Sequence, residues 1–195
     1  MSFISVVATE NLITVMSDGM ESQKVNGKIE EVSPNYKKFK KISEKQFIAY
    51  AGNTGICTYI ANKYKFKYEV YNLEEVAFEI QKELLQFPRN ETKNQFIIGG
   101  VQNGEVLCYT VKNDEGLPEL VKPEKKKGSQ IDIKLTTLSS NYLKKKIERN
   151  LTKSFETFFK KNNNQVLHAQ LMLNNLVAEN DPTVNTNTRH IVIEI

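Results

Sequence analysis

Ser2, Asp18 and Lys38 are the residues at the front of the chain whose types and spacing could do chemistry. Residues 3–9 and 12–17 are rich in Val, Ile and Thr and flank Glu10-Asn11, where asparagine tolerates the backbone of a tight turn, so the spacing predicts a β-hairpin. With Glu10 and Asn11 as the turn, Thr9 faces Leu12, which sets Phe3 opposite Asp18 and Ser2 opposite Gly19. Directly opposed Cβ atoms in such a pair lie about 4.5–5.5 Å apart, close enough for a carboxylate to meet a chain-terminal amine. A second strand pair, 36–42 and 46–51, turns at Ser43-Glu44-Lys45; with Ile42 facing Phe47, Lys38 falls near Ala51. Whether that lysine meets Ser2 depends on sheet order, which spacing alone does not supply.

Other chemistries find little support. Cys57 and Cys108 lie far apart, with no C-x-x-C and no histidine cluster, so neither a zinc site nor a disulfide framework is expected and reduced cytoplasmic thiols are the default. The net charge of +4 comes largely from lysine pairs and triplets such as Lys37-Lys38, Lys40-Lys41 and Lys144-Lys145-Lys146. Charge runs of this kind are usually solvated faces, and no nucleic-acid module stands beside them, so no nucleic-acid partner is expected. The apolar start is too short to span a bilayer and lacks a basic leader, so no membrane partner or export is expected.

The elements that must position these residues follow from patterning. At 195 residues, 39% hydrophobic, the chain fits one domain over 1–195. "VNGKI" at 25–29 carries an Asn-Gly turn signal. Apolar residues recur at helical spacing over 54–64 and 72–87, the second helix capped by Asn72 and ended by Pro88. Strands are expected at 95–100, 105–111 and, after the solvated linker 123–129, at 132–138; helices at 141–160 and 166–179; and a last strand at 189–195. This order fits an α+β, four-layer αββα sandwich of two antiparallel sheets, each outer face covered by a helix pair. A strand buried on both faces need not alternate, which accounts for "FISVVA".

Residues 2–22, a nucleophile, a buried strand, a turn and a second strand ending in Ser17-Asp18-Gly19, resemble the start of mature proteasome β-subunits and HslV-type peptidases, members of the N-terminal nucleophile (Ntn) hydrolases. The resemblance continues through "NYKKFKKI" at 35–42, "IAYAGNTG" at 48–55 and "DPTVNTNTRHIVIEI" at 181–195. It implies an amide-bond hydrolase whose nucleophile is Ser2 once Met1 is removed, with the new α-amine as base. Lys38 would ease deprotonation of Ser2 by its charge, and Asp18 would hold Lys38 and the amine. The same comparison assigns the oxyanion-hole amide to Ala49, pairing with an extended substrate to Ser22, and an assisting hydroxyl to Ser139 or Ser140. The alternative role for those two serines is capping a helix that begins near Asn141. The resemblance further implies a peptide or other amide substrate, a homo-oligomer, and no cofactor or metal, and leaves open an unfoldase partner. The contrasting expectation is a catalytically inactive Ntn-fold protein that serves assembly or binding, as proteasome α-type subunits do.

Overall fold

The computed structural model describes residues 2–87, 93–113, 116–124 and 132–195; Met1, Pro88 and linker residues 125–129 lie outside them. The chain runs β1 (Ile4–Ala8), β2 (Leu12–Asp18), β3 (Glu21–Val25), β4 (Lys28–Ser33), β5 (Phe39–Ser43), β6 (Gln46–Ala51), α1 (Thr54–Asn62), α2 (Leu73–Leu84), β7 (Gln95–Gln102), β8 (Glu105–Lys112), β9 (Glu119–Val121), β10 (Lys134–Leu138), α3 (Lys145–Glu148), α4 (Leu151–Lys161), α5 (Val166–Ala178) and β11 (Thr188–Glu194). One antiparallel sheet is ordered β10-β1-β2-β11 and another β5-β6-β7-β8-β9, while β3-β4 forms a separate ribbon.

Period-2 alternation explains the layers, since successive residues of a strand point to opposite faces. Phe47, Ala49 and Ala51 of β6 join Ile4, Val6, Ile13 and Val15 in a core between the sheets. Ile48 and Tyr50, between them in sequence, face the other way and pack under α1 and α2. Phe3 and Val7 pack outward against α4 and α5. The αββα sandwich follows.

Local signals account for most boundaries. The β1–β2 register pairs Ile4 with Ser17 and Ala8 with Ile13, as the two-residue turn requires. Asn26 and Gly27 take positive φ of 50° and 80° in the β3–β4 turn. Asn72 caps α2 by accepting from the Glu74 and Glu75 N–H groups. The expected helix 141–160 is instead two helices: Asn150 leaves helical geometry at φ −110°, ψ 6°, and turns its side chain back on the Lys146 carbonyl. The short strand β9 had no expectation at all; among the described residues its three residues pair with β8 alone.

A second correction bears on the site. Lys41 pairs with Phe47 but Ser43 with Gln46, so a bulge absorbs Ile42 between them. The register therefore shifts by one, and the Lys38 carbonyl accepts from the Tyr50 N–H at 2.9 Å rather than lying opposite Ala51.

Candidate active site

Asp18 ends β2 with no exposed surface. Its carboxylate accepts from Phe3 N–H at 2.8 Å on one oxygen and from Met20 N–H at 2.9 Å on the other. Lys38 Nζ, 2% exposed, donates to both oxygens at 2.7 and 2.6 Å. Because Lys38 immediately precedes β5 and Asp18 belongs to β2, this ion pair ties the two sheets together. Ser2 follows directly from the register: it lies one residue before Phe3, whose N–H and carbonyl both bond to Asp18.

The segment leading to Lys38 is held by backbone fit. Gly19 O accepts from Tyr36 N–H at 2.7 Å, and Gly19 N–H donates to the Asn185 side chain, whose amide donates in turn to Pro34 O. A Cβ at position 19 would stand 2.5 Å from Pro34 O, so only glycine allows this approach.

Burial is the larger influence on both partners of the pair. It pushes the Lys38 ammonium below its usual range, offset in part by the attraction of Asp18 and, more distantly, of Asp181 and Glu21. Burial likewise pushes the Asp18 carboxyl up, against the charge and hydrogen bonds of Lys38 and the two backbone donors.

A narrow cleft of about 20 Å³ opens beside the pair, lined among others by Ser2, Ser22, Lys38, Tyr50, Ala51 and Gly52. That volume holds about one water molecule. The structure thus gathers Ser2, Asp18, Lys38 and Ser22 in one place. Ala49 is not there: it is fully buried in the inter-sheet core, paired with Phe39 on one side and Ile97 on the other. The cleft wall at the end of β6 is Ala51 and Gly52 instead, and Gly52 holds φ +138°, a conformation L side chains rarely adopt.

The two candidate serines separate. Ser139 Oγ donates outward to Glu148 Oε1 at 3.1 Å, whereas Ser140 is buried and donates to Asp181 Oδ2. Neither caps a helix, since α3 begins after Lys144 with no side-chain cap; Ser140 Oγ accepts only the nearby Tyr142 N–H. Asp181, 2% exposed, also accepts from Thr183 N–H at 2.9 Å and Thr183 Oγ1 at 2.7 Å. Sequence reasoning missed Asp181 and Gly52, although both stand inside segments it had singled out.

No family model and no curated protein matches the sequence. The structure is similar to eukaryotic HslV from Trypanosoma brucei, with a TM-score of 0.66 over 99% of this chain and 99% of that one, at 12% sequence identity. The fold is that of HslV. The proteasome-like, Ntn-hydrolase architecture expected from the order of strands and helices is therefore the architecture observed. Within this HslV-like fold, the cleft lies at the β1 end from which the chain enters the sandwich. No described helix is long and apolar enough to cross a membrane, and no group of three or more His, Cys, Asp or Glu among the described residues could hold a metal ion.

Proposed function

We propose that the chain is an HslV-like amide-bond hydrolase, a peptidase whose nucleophile is Ser2 Oγ after removal of Met1. The observation that supports it is the fully buried Lys38–Asp18 pair standing in the same cleft as Ser2. An α-amine has an ordinary pKa of about 7.7–8.0, so near neutrality part of it is free to accept the Ser2 hydroxyl proton. Asp18 fixes the Lys38 ammonium with two hydrogen bonds, and the remaining ammonium charge favours the developing alkoxide.

Ser2 Oγ attacks the amide carbon, its proton passes through the α-amine to the departing amine, and an ester remains; water then cleaves the ester and restores the hydroxyl. The backbone N–H at Gly52, rather than the one at Ala49, is assigned to the oxyanion, because Gly52 borders the cleft and Ala49 lies in the strand ladder. Ser140 with Asp181 backs the lysine electrostatically, whereas the Ser139 hydroxyl is spent on Glu148. Ser22, on the cleft wall in β3, is assigned to the extended peptide substrate. The reading includes a cytoplasmic homo-oligomer and no cofactor.

One observation favours a second reading, a silent Ntn-fold subunit serving assembly: the cleft admits about one water and Ser2 is only 7% exposed. Intact mass of the native protein, followed by labelling with an electrophile that traps N-terminal nucleophiles, separates the two. The hydrolase reading expects a mass lacking Met1 and one label per chain, lost in Ser2→Ala. A mass retaining Met1, or equal labelling of Ser2→Ala, overturns it in favour of the silent subunit.

A further inference from the structure

In the hydrolase reading, on which this inference rests, the carbonyl carbon under attack stands about 3–3.5 Å from Ser2 Oγ. The side chain of the residue that supplies this carbonyl begins two bonds further on, so it must enter the cleft beside Ser2, between Gly52 at the end of β6 and Ser22 on β3. What closes the cleft therefore decides which residues fit. Tyr36 and Tyr50 both line it, and each is held at its backbone and at its hydroxyl. Tyr36 N–H donates to Gly19 O at 2.7 Å, and its Oη shares a 2.8 Å hydrogen bond with Thr58 Oγ1 of α1. Tyr50 N–H donates to Lys38 O at 2.9 Å and its Oη to Lys37 O at 3.4 Å, while its ring meets that of Phe96 with centroids 5.9 Å apart. Cys57 lines the cleft from α1 and is fully buried, its Sγ 3.8 Å from Ala51 O and from Asn94 Oδ1. Both tyrosines also pack against the apolar cluster under α1 and α2. Neither ring swings aside without breaking a hydrogen bond and opening that close-packed cluster.

We propose that the cleft restricts cleavage to amide bonds that follow glycine or alanine, with Tyr36 and Tyr50 as the residues that set the limit. Its volume of about 20 Å³, room for about one water, is also room for a methyl group. A leucyl or phenylalanyl side chain enters only by displacing one of the anchored tyrosines, and overfilling a packed site is costly. Charge narrows the choice further. Glu21 stands on the cleft wall, and its carboxylate, whose field already reaches Lys38, repels an acidic side chain. The same narrowness that speaks for a silent subunit becomes, in the hydrolase reading, the mark of a substrate class defined by a small, uncharged residue on the acyl side of the bond.

The test uses the whole native protein and a series of peptide vinyl sulfones that differ only in the residue next to the sulfone: alanine, leucine or phenylalanine. Phenyl vinyl sulfone, which brings no peptide side chain to the cleft, is the control. Intact mass follows the rate of labelling at Ser2. The alanine probe is expected to label at least about tenfold faster than the leucine and phenylalanine probes. Tyr36→Ala and Tyr50→Ala should each raise leucine labelling relative to alanine by about tenfold. Tyr36 is only half-buried, so its variant carries the test where the Tyr50 variant does not fold. Leucine or phenylalanine probes that label the parent as fast as alanine, labelling by the control alone, or a ratio unmoved in Tyr36→Ala overturns the proposal and leaves the hydrolase reading standing. No label at Ser2 from any probe, the control included, overturns the hydrolase reading and the size limit with it.

Discussion

Replacing Asp18 by Asn keeps the shape of the side chain and removes its charge, which isolates what the carboxylate does. Asp18 presents each oxygen to two donors: Phe3 N–H and Lys38 Nζ on one, Met20 N–H and Lys38 Nζ on the other. The asparagine NH2 must then face one of the two backbone N–H groups, donor against donor, whichever way it turns. An orphaned buried donor costs about 1–3 kcal/mol, and breaking a buried ion pair from one side costs about 3–5 kcal/mol. These penalties overlap, because Lys38 can shed its proton once unpaired, so the expected loss is about 3–5 kcal/mol. At roughly 2–4 °C per kcal/mol for a domain of this size, the midpoint should fall by about 6–20 °C. Urea and thermal unfolding measure both. Adding Lys38→Met should return more than about 1 kcal/mol, because the second substitution removes the unpaired ammonium. An Asp18→Asn protein within about 0.5 kcal/mol of the parent, the usual range for a surface change, would refute the idea that this pair fastens one sheet to the other.

Burial holds Lys38 below its usual value of 10.5, so between its folded value and 10.5 the unfolded chain binds more protons and stability rises with pH. Thermal melts on the alkaline side should show the parent gaining on the Asp18→Asn/Lys38→Met variant across that window; parallel curves would contradict it. Asp18, raised above 3.8, acts with the opposite sign in acid, its contribution being lost as pH rises through its folded value. Gly52→Ala would put a Cβ 2.4 Å from Asn94 Oδ1 and 2.6 Å from Lys93 O at φ +138°, so a loss of about 1–3 kcal/mol in urea is expected together with loss of electrophile labelling. Ser140→Ala should cost about 1–3 kcal/mol by stripping a buried partner from Asp181, while Ser139→Ala should stay within about 0.5 kcal/mol in the same unfolding assay.

What could be read from the sequence depended on how far the deciding interaction lies along the chain. The β1–β2 register was legible because a two-residue turn at Glu10-Asn11 leaves one way to pair the strands, and Ser2 beside Asp18 followed from counting. The same counting failed at β5–β6, where a bulge between Lys41 and Ser43 absorbs a residue that no side-chain type announces. Its cause is tertiary: Ile42 is fully buried beneath α1 and α2, and its carbonyl accepts from Lys67 N–H. Asn72 announced α2 by its own chemistry, whereas Asn150, in an equally helical pattern, broke a helix by bonding backwards.

The site shows the same division. Ala49 and Gly52 lie three residues apart in one short segment, and the resemblance pointed to the amide of Ala49. The strand alternation that puts Ala49 against Ile97 in the inter-sheet core also carries the chain out of the ladder by Gly52, where the sheet ends and the cleft begins. An oxyanion donor needs an N–H that the ladder does not use, so the end of a strand suits it and the middle does not. Asp181 escaped notice for a related reason: its two hydroxyl partners come from opposite directions, Thr183 two residues on and Ser140 forty-one residues back. Its influence on Lys38 exists only once the last loop folds over the β2 terminus, where Asn185 links Gly19 to Pro34. The lysine is therefore positioned by three segments remote in sequence. Loosening the loop at Asn185 should disturb it even though the hydrogen bonds of the Asp18 carboxylate come from Phe3, Met20 and Lys38 and not from Asn185.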